Sequence, residues 1–399
     1  MYAAATREAT VLQLQRFSDQ IAQHGSAPST SSWFAFWTDV VTLARAQPLV
    51  VLLDEVPYLI ESDPSWATTL QAVWDSVRHG SESASLTVIL TGSAVSTMTN
   101  LVSSRGALFE RPDALMRLDP FDLPTASSFL KAPTAVAAIE AYAACDGYPL
   151  LLSRWDTTAS ASSNLERLAG DPVGALASNA STLLLDLDDF HANQRVLGAI
   201  GRGAHRLSEI NSRAGQRTER PLAVLQRAGF VQRRQPIGDR SKNSLQLELA
   251  DNYLRFWFAL VEPNLQLIDG GQGQAVIRGS MTTWDHLVAA CFEREARRHA
   301  SEIGHSDGVV GEWWTDRPTQ AQIDVVEARN NRWVLVGEAK WKDRFSMADL
   351  RQFERHISVA GDRAHDAQLA TWSRFGSSDE MATIRPDVLS YTAENIVNR

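Results

Sequence analysis

VVLLDEVPYL, residues 50–59, opens as an apolar, β-branched run and ends its strand-like part on two adjacent acids, Asp54 and Glu55. With Pro48 and Leu49 in front, the run predicts a short strand buried on both faces of a parallel sheet, because no polar residue alternates along it. Upstream, residues 11–21 and 33–44 repeat apolar side chains at helical spacing. Downstream, residues 65–77 set Leu70, Val73, Trp74 and Val77 on one helical face, and LTVILT at 86–91 is a second apolar strand. Strand, helix and strand at this spacing make a βαβ unit and imply an α/β fold.

The whole chain has 399 residues, enough for two to four domains. At 44% apolar and 21% charged residues it is neither a disordered nor a fibrous sequence. Two cysteines, Cys145 and Cys291, are too few for a disulfide framework or a cysteine-rich zinc site, so a reducing cytoplasm is expected. No uninterrupted apolar stretch approaches the roughly 18 residues of a membrane span, so no membrane partner is expected. MYAAATREAT carries Arg7 and Glu8 where a signal peptide needs an apolar core. The nine histidines show no metal-ligand spacing, and the spacing of Trp66 and Trp74 assigns them to packing.

Four pieces are expected. Residues 1–123 are the α/β piece. Residues 124–185 turn helical, interrupted by the loop-like TTASASS. In 186–265, helices at 194–200, 208–214 and 221–228 stop at Gly229 and are followed by strands at 230–235 and 244–249, the pattern of a winged helix-turn-helix. Gly270-Gly-Gln-Gly273 reads as a boundary. Residues 275–399 then form a second α/β piece, with a helix at 284–299 and strands at 324–327 and 333–339.

Two adjacent acids at the carboxyl end of an apolar strand form the Walker B arrangement. Asp54 would hold Mg²⁺ through water, and Glu55 would orient or deprotonate the attacking water. Ligands of parallel sheets bind at that end of the strands. The competing reading is an acidic pair that merely opens a surface loop.

The ordered set VVLLDEVPYL, LTGSAVSTM, FER before LDPF, CDGYPLLL at 145–152 and DNYLRFWFALVEPN at 251–264 resembles the archaeal-type, AAA/STAND-like P-loop ATPase family, over nearly the whole chain. The resemblance implies a P-loop ATPase core, a helical lid, a winged helix and a restriction-endonuclease-like domain, with ATP and Mg²⁺ as cofactors. It places Ser93 as the sensor beside the γ-phosphate and Arg111 near the nucleotide or a neighbour's site. Apart from it, Ser93 reads as a turn or cap serine and Arg111 as a solvated surface residue. One departure is large. The phosphate-cradling G-x-x-x-x-G-K-[ST] loop is missing, since no Gly-Lys pair occurs anywhere. A truncated core lacking its first βα unit, through a start assigned too far downstream, is expected in preference to a degenerate ATPase. ATP binding by the chain as it stands is expected to be poor.

Toward the other end, GVVGEWWTDRPTQAQIDVVEARNNRWVLVGEAKWKDR sets Asp324 and Glu338 fourteen residues apart, a hairpin's worth, with Lys340 two beyond. Strand alternation puts Glu338 and Lys340 on one face. The pattern resembles PD-(D/E)xK nucleases, which implies that Asp324 and Glu338 bind Mg²⁺ and that Lys340 polarises water or steadies the transition state. Glu293 matches an acid often added from the preceding helix, and Gln352 a polar residue of the following one. Here Ile323-Asp324 replaces Pro-Asp. An ordinary exposed hairpin is the competing reading.

The formal charge of −9 conceals an asymmetry. Residues 191–264 carry 12 basic and 6 acidic side chains, leaving −15 for the remainder. Arg213, Arg217, Arg220 and Arg227 fall in the expected recognition-helix region, and Arg233, Arg234, Arg240 and Lys242 in the wing. That is the electrostatic footprint of duplex DNA binding, against which stands a winged helix used only for protein contacts. Two functions follow as alternatives: an ATP-fuelled, DNA-associated protein with a nuclease-like domain, or a non-catalytic DNA-binding or regulatory protein with degenerate folds. The sequence leaves the oligomeric state open.

Overall fold

In the computed structural model, which describes residues 1–25, 32–79, 84–184, 189–239, 241, 244–316, 319–330 and 332–399, the apolar run at 50–59 supplies the central strand of three. Strands β1 (Tyr2–Ala4), β2 (Leu49–Asp54) and β3 (Leu86–Leu90) are parallel, in the order β1-β2-β3. They belong to the first of two compact units, Met1–Arg117 and Leu118–Arg399. Helices Thr10–Ala22, Trp33–Ala46 and Trp66–His79 form close to where their periodicity predicts. Their apolar faces meet Val51 and Leu53 in a core containing Phe17, Phe36, Trp37 and Trp66, with the Trp37 and Trp66 rings 6.4 Å apart.

The expected two-sided burial of β2 does not hold. Val51 and Leu53 are fully buried, but Val50 is 52% exposed and Ile89, on β3, 41%. Side chains alternate across a strand, and among the described residues only one face of this sheet is covered. An unbroken apolar run records that the strand is hydrophobic, not how many layers cover it. The three-residue β1 is too short to leave a periodic signal and was not foreseen.

In the second unit, five short helices span Leu123–Leu130, Ala135–Cys145, Pro149–Leu152, Ala161–Leu168 and Ala175–Leu184. Helices Phe190–Gly201, Leu207–Ala214 and Glu219–Arg227 follow, then an antiparallel hairpin of β4 (Val231–Arg234) and β5 (Gln246–Leu249). Gly229, at φ 84°, ends the third of these helices in the left-handed conformation that glycine adopts without strain. A 23-residue helix, Met281–Ile303, leads into a sheet of β6 (Val309–Thr315), β7 (Ala321–Arg329), β8 (Arg332–Ala339), β9 (Gln368–Ser373) and β10 (Leu389–Thr392), ordered β10-β9-β8-β7-β6. The pairs β6–β7 and β7–β8 are antiparallel, whereas β8–β9 and β9–β10 are parallel. Helix Met347–Ala360 returns between β8 and β9.

One apolar core runs through the second unit without a break. It joins Tyr142 and Leu197 to Phe256, Trp284, Phe292 and Trp372, while a separate cluster around Trp313, Ile323, Val336 and Phe353 holds other residues of the sheet. The pieces expected at 124–185, 186–265 and 275–399 therefore share an interior. Nor is Gly270–Gly273 an open boundary: Gly273 packs against the backbone of Gly170 so closely that a Cβ would sit 2.1 Å from the Gly170 carbonyl oxygen. Among the described residues, no helix is long and apolar enough to cross a membrane.

Candidate functional sites

At the carboxyl end of β2, Asp54 lies one step beyond the Leu53–Leu90 pair and so faces Thr91. The Thr91 hydroxyl donates to Asp54 Oδ1, the Glu55 amide to the same oxygen at 3.0 Å, and the Tyr2 hydroxyl to Oδ2 at 3.1 Å. The Thr91 hydrogen bond does most to hold the Asp54 carboxyl below its ordinary pKa. Glu55 adopts a left-handed backbone, φ 54° and ψ 42°, unusual for a non-glycine residue, and its Oε2 accepts from Ser93 Oγ at 3.1 Å. Asp54, Glu55 and Ser93 thus converge, and Tyr2 and Thr91, which the sequence reading missed, join them. Arg111 is committed to another partner. Its Nε and Nη2 form a two-pronged ion pair with Asp75 at 2.9 and 2.8 Å.

The second site lies between β7 and β8. Val325 pairs with Gly337, so Asp324 faces Glu338 across the ladder. The Ala339 amide donates to Asp324 Oδ2 at 3.1 Å and Gln322 Nε2 to Oδ1 at 3.0 Å. A β-bulge lies at Asp324. Gly311 pairs with Val326 and Trp313 with Ile323, so Asp324 and Val325 together oppose Glu312. Such bulges commonly redirect side chains beside active sites.

Glu338 is 7% exposed. Its Oε1 lies 3.6 Å from Lys340 Nζ, and its Oε2 has no hydrogen-bond partner. Lys340 Nζ also lies 3.8 Å from Asp349, which accepts from Lys342 at 2.6 Å. Burial, and next the charge of Asp324, push both Glu338 and Glu293 up to about 8. Burial likewise raises Asp324. Asp324, Glu338, Lys340 and Glu293 are therefore electrostatically one group. Gln352 is exposed on its helix.

Among the described residues, no three His, Cys, Asp or Glu side chains form a ready-made cation cage. The residues still suit a hard cation: an opposed carboxylate pair, one oxygen of it buried and unpaired. Mg²⁺ is ordinarily held by one or two carboxylates, with water and phosphate oxygens completing its shell.

The raised acids give a signed prediction. Near pH 3 these carboxyls are mostly protonated in both folded and unfolded chains. As pH rises from about 4.5 to about 8 the unfolded chain ionises first, so stability is lost across that window and then levels off. Glu338→Gln is therefore expected to stabilise the metal-free chain at pH 8 by about 1–3 kcal/mol, the usual cost of an unsatisfied buried group, with little gain near pH 3. Thermal unfolding of the full chain across pH checks this, and equal effects at both pH values would remove the carboxyl as the cause.

The basic segment divides in two. Arg213, Arg217, Arg220, Arg227 and Arg233 are exposed, and none has an acidic ion-pair partner among the described residues. Arg213 and Arg227 donate to the carbonyls of Arg202 and Ala223. Arg240 and Lys242 lie outside the described residues. Arg234, expected among the wing's DNA-facing residues, is instead half-buried, forms a two-pronged pair with Glu312 and lies 4.6 Å over the Trp314 ring.

Comparison with known proteins adds three findings. A family model described as archaea bacterial proteins of unknown function matches residues 257–353, a span containing Glu293, Asp324, Glu338 and Lys340. An uncharacterized protein of Methanocaldococcus jannaschii is 23% identical over 346 residues, covering 79% of this chain and 76% of that protein. A Walker-type ATPase of Pyrococcus abyssi aligns in structure with a TM-score of 0.45 at 18% identity, over 65% of this chain and 83% of that one.

Proposed function

We propose that the second unit is a metal-dependent phosphodiesterase acting on DNA. The observation that carries the reading is the opposition of Asp324 and Glu338 across β7–β8, with Glu338 Oε2 buried and unpaired beside Lys340. Asp324 and Glu338 would hold Mg²⁺ or Mn²⁺, with water and phosphate oxygens completing the shell, while Glu293 adds its charge nearby. The ion would supply Lewis-acid polarisation of the phosphate and a more acidic bound water. Lys340, 3.6 Å from Glu338, would bring its ammonium to the phosphoryl oxygens on which charge grows. Helices Leu207–Ala214 and Glu219–Arg227 with the β4–β5 hairpin would act as a winged helix, whose exposed arginines would meet the DNA backbone.

In the first unit, we infer that Asp54, Glu55, Ser93 and Thr91 would serve an ATPase centre for ATP and Mg²⁺. The chain contains no G-x-x-x-x-G-K-[ST] loop to hold the phosphates. ATP is accordingly expected to bind the 399-residue chain more weakly than micromolar; a micromolar Kd by calorimetry would refute this.

The central test is incubation of the full chain with duplex DNA and Mg²⁺ or Mn²⁺. Cleavage that EDTA abolishes is expected. Tight DNA binding without cleavage under either metal would favour a non-catalytic DNA-binding protein.

A further inference from the structure

Arg234 poses a question that DNA binding does not answer: an arginine on a basic hairpin has withdrawn from solvent into a pair with a buried acid. Its partner Glu312, 7% exposed, is the residue that faces the Asp324–Val325 bulge. Glu312 also lies 3.5 Å from Arg297, and Arg297 Nη1 donates at 2.9 Å to the backbone carbonyl of Asp324. The hairpin is tied to the same place by its backbone, since the Ile237 amide donates to the Glu312 carbonyl at 2.8 Å.

A bulge leaves ladder groups unpaired, and here an arginine from the long helix satisfies one of them. That arginine is oriented by Glu312, which is clamped from the other side by Arg234. We propose that Arg234, Glu312 and Arg297 are positioning residues, a relay that fixes the bulge and through it the aim of the Asp324 carboxylate. The seat of the hairpin thereby sets the geometry of the carboxylate pair. A planar two-pronged guanidinium stacked on an indole suits this task, because it fixes direction as well as charge.

The metal readout of the test rests on the reading of Asp324 as a metal ligand, and the exchange readout does not. In the full chain, Arg234→Ala and Glu312→Gln are expected to weaken Mn²⁺ binding, measured by calorimetry, by about 10- to 100-fold, as loss of a group that orients a ligand does. Hydrogen exchange at the Asp324 and Val325 amides should quicken by roughly tenfold or more, in proportion to the bulge's local opening. DNA affinity measured in EDTA should change less than about twofold, and its salt dependence not at all. Arg233→Ala, the exposed neighbour, should behave oppositely, lowering the salt slope by about one and sparing Mn²⁺ and exchange. Arg234→Lys keeps the charge without the fork and should remain impaired. Should Arg234→Ala reduce the salt slope as Arg233→Ala does, with exchange at the bulge unmoved, the relay is overturned and Arg234 is a phosphate contact. Should the wild-type chain bind no Mn²⁺, the phosphodiesterase reading falls, while the exchange rates still decide the relay.

Discussion

Lys340→Ala is expected to lower Mn²⁺-dependent DNA cleavage by roughly 10²–10⁴-fold, the span ordinarily lost with a positioned proton-handling or charge-stabilising side chain. Lys340 Nζ stands 3.6 Å from Glu338 and 3.8 Å from Asp349, so its ammonium is held at the carboxylate pair rather than free in solvent. Losing it removes two things at once. The developing phosphoryl charge loses its cation, and Glu338 loses the neighbour that opposes its upward pKa shift. The metal must then compete with a more tightly held proton, so the acid limb of the rate–pH profile should move to higher pH. DNA affinity in EDTA should stay within about twofold. Rates for wild type and variant at several pH values check this; equal rates would remove Lys340 from the mechanism.

Combined replacement of Arg217, Arg220 and Arg233 by alanine is expected to weaken duplex binding by roughly 10³-fold at low salt, about tenfold for each guanidinium removed, since a hydrogen bond to a charged group is worth about 1.5 kcal/mol or more. The slope of log affinity against log salt should fall by about one unit for each phosphate left without its arginine. These three side chains are exposed and without acidic partners among the described residues, so their removal leaves no buried charge unpaired and the melting temperature should hardly move. Fluorescence anisotropy across a salt series gives the answer, and an unchanged slope would turn the segment into a protein-binding module.

Much of this was legible before the structure. Helical periodicity located Thr10–Ala22 and Trp33–Ala46 because one-sided burial leaves a repeating trace. Alternation correctly put Glu338 and Lys340 on one face. The acid pair at 54 and 55 and the small polar end of β3 pointed to one another because parallel strands end together. What stayed hidden was information carried by partners rather than by spacing. Nothing about Arg234 in sequence says that it will meet Glu312, 78 positions away, and the composition of its segment argued for solvent. Thr91 and Tyr2 were hidden for a like reason: each matters through the strand beside it. Thr91 alone carried a usable signal, as the first polar residue after an apolar strand paired with β2.

The continuous interior of the second unit has a consequence for cooperativity. Because Tyr142, Leu197, Phe256, Phe292 and Trp372 share one buried cluster, the described residues leave no seam of solvent at which the sheet could part from the arginine-bearing helices. Cutting the chain near residue 275 would strip Trp284, Val288 and Phe292 of apolar neighbours and leave a fragment prone to aggregate. Melting of Leu118–Arg399 should then register as one transition, and limited proteolysis should release no stable body smaller than that. On the proposed reading, DNA binding and DNA cleavage would be lost together on heating, at a single temperature.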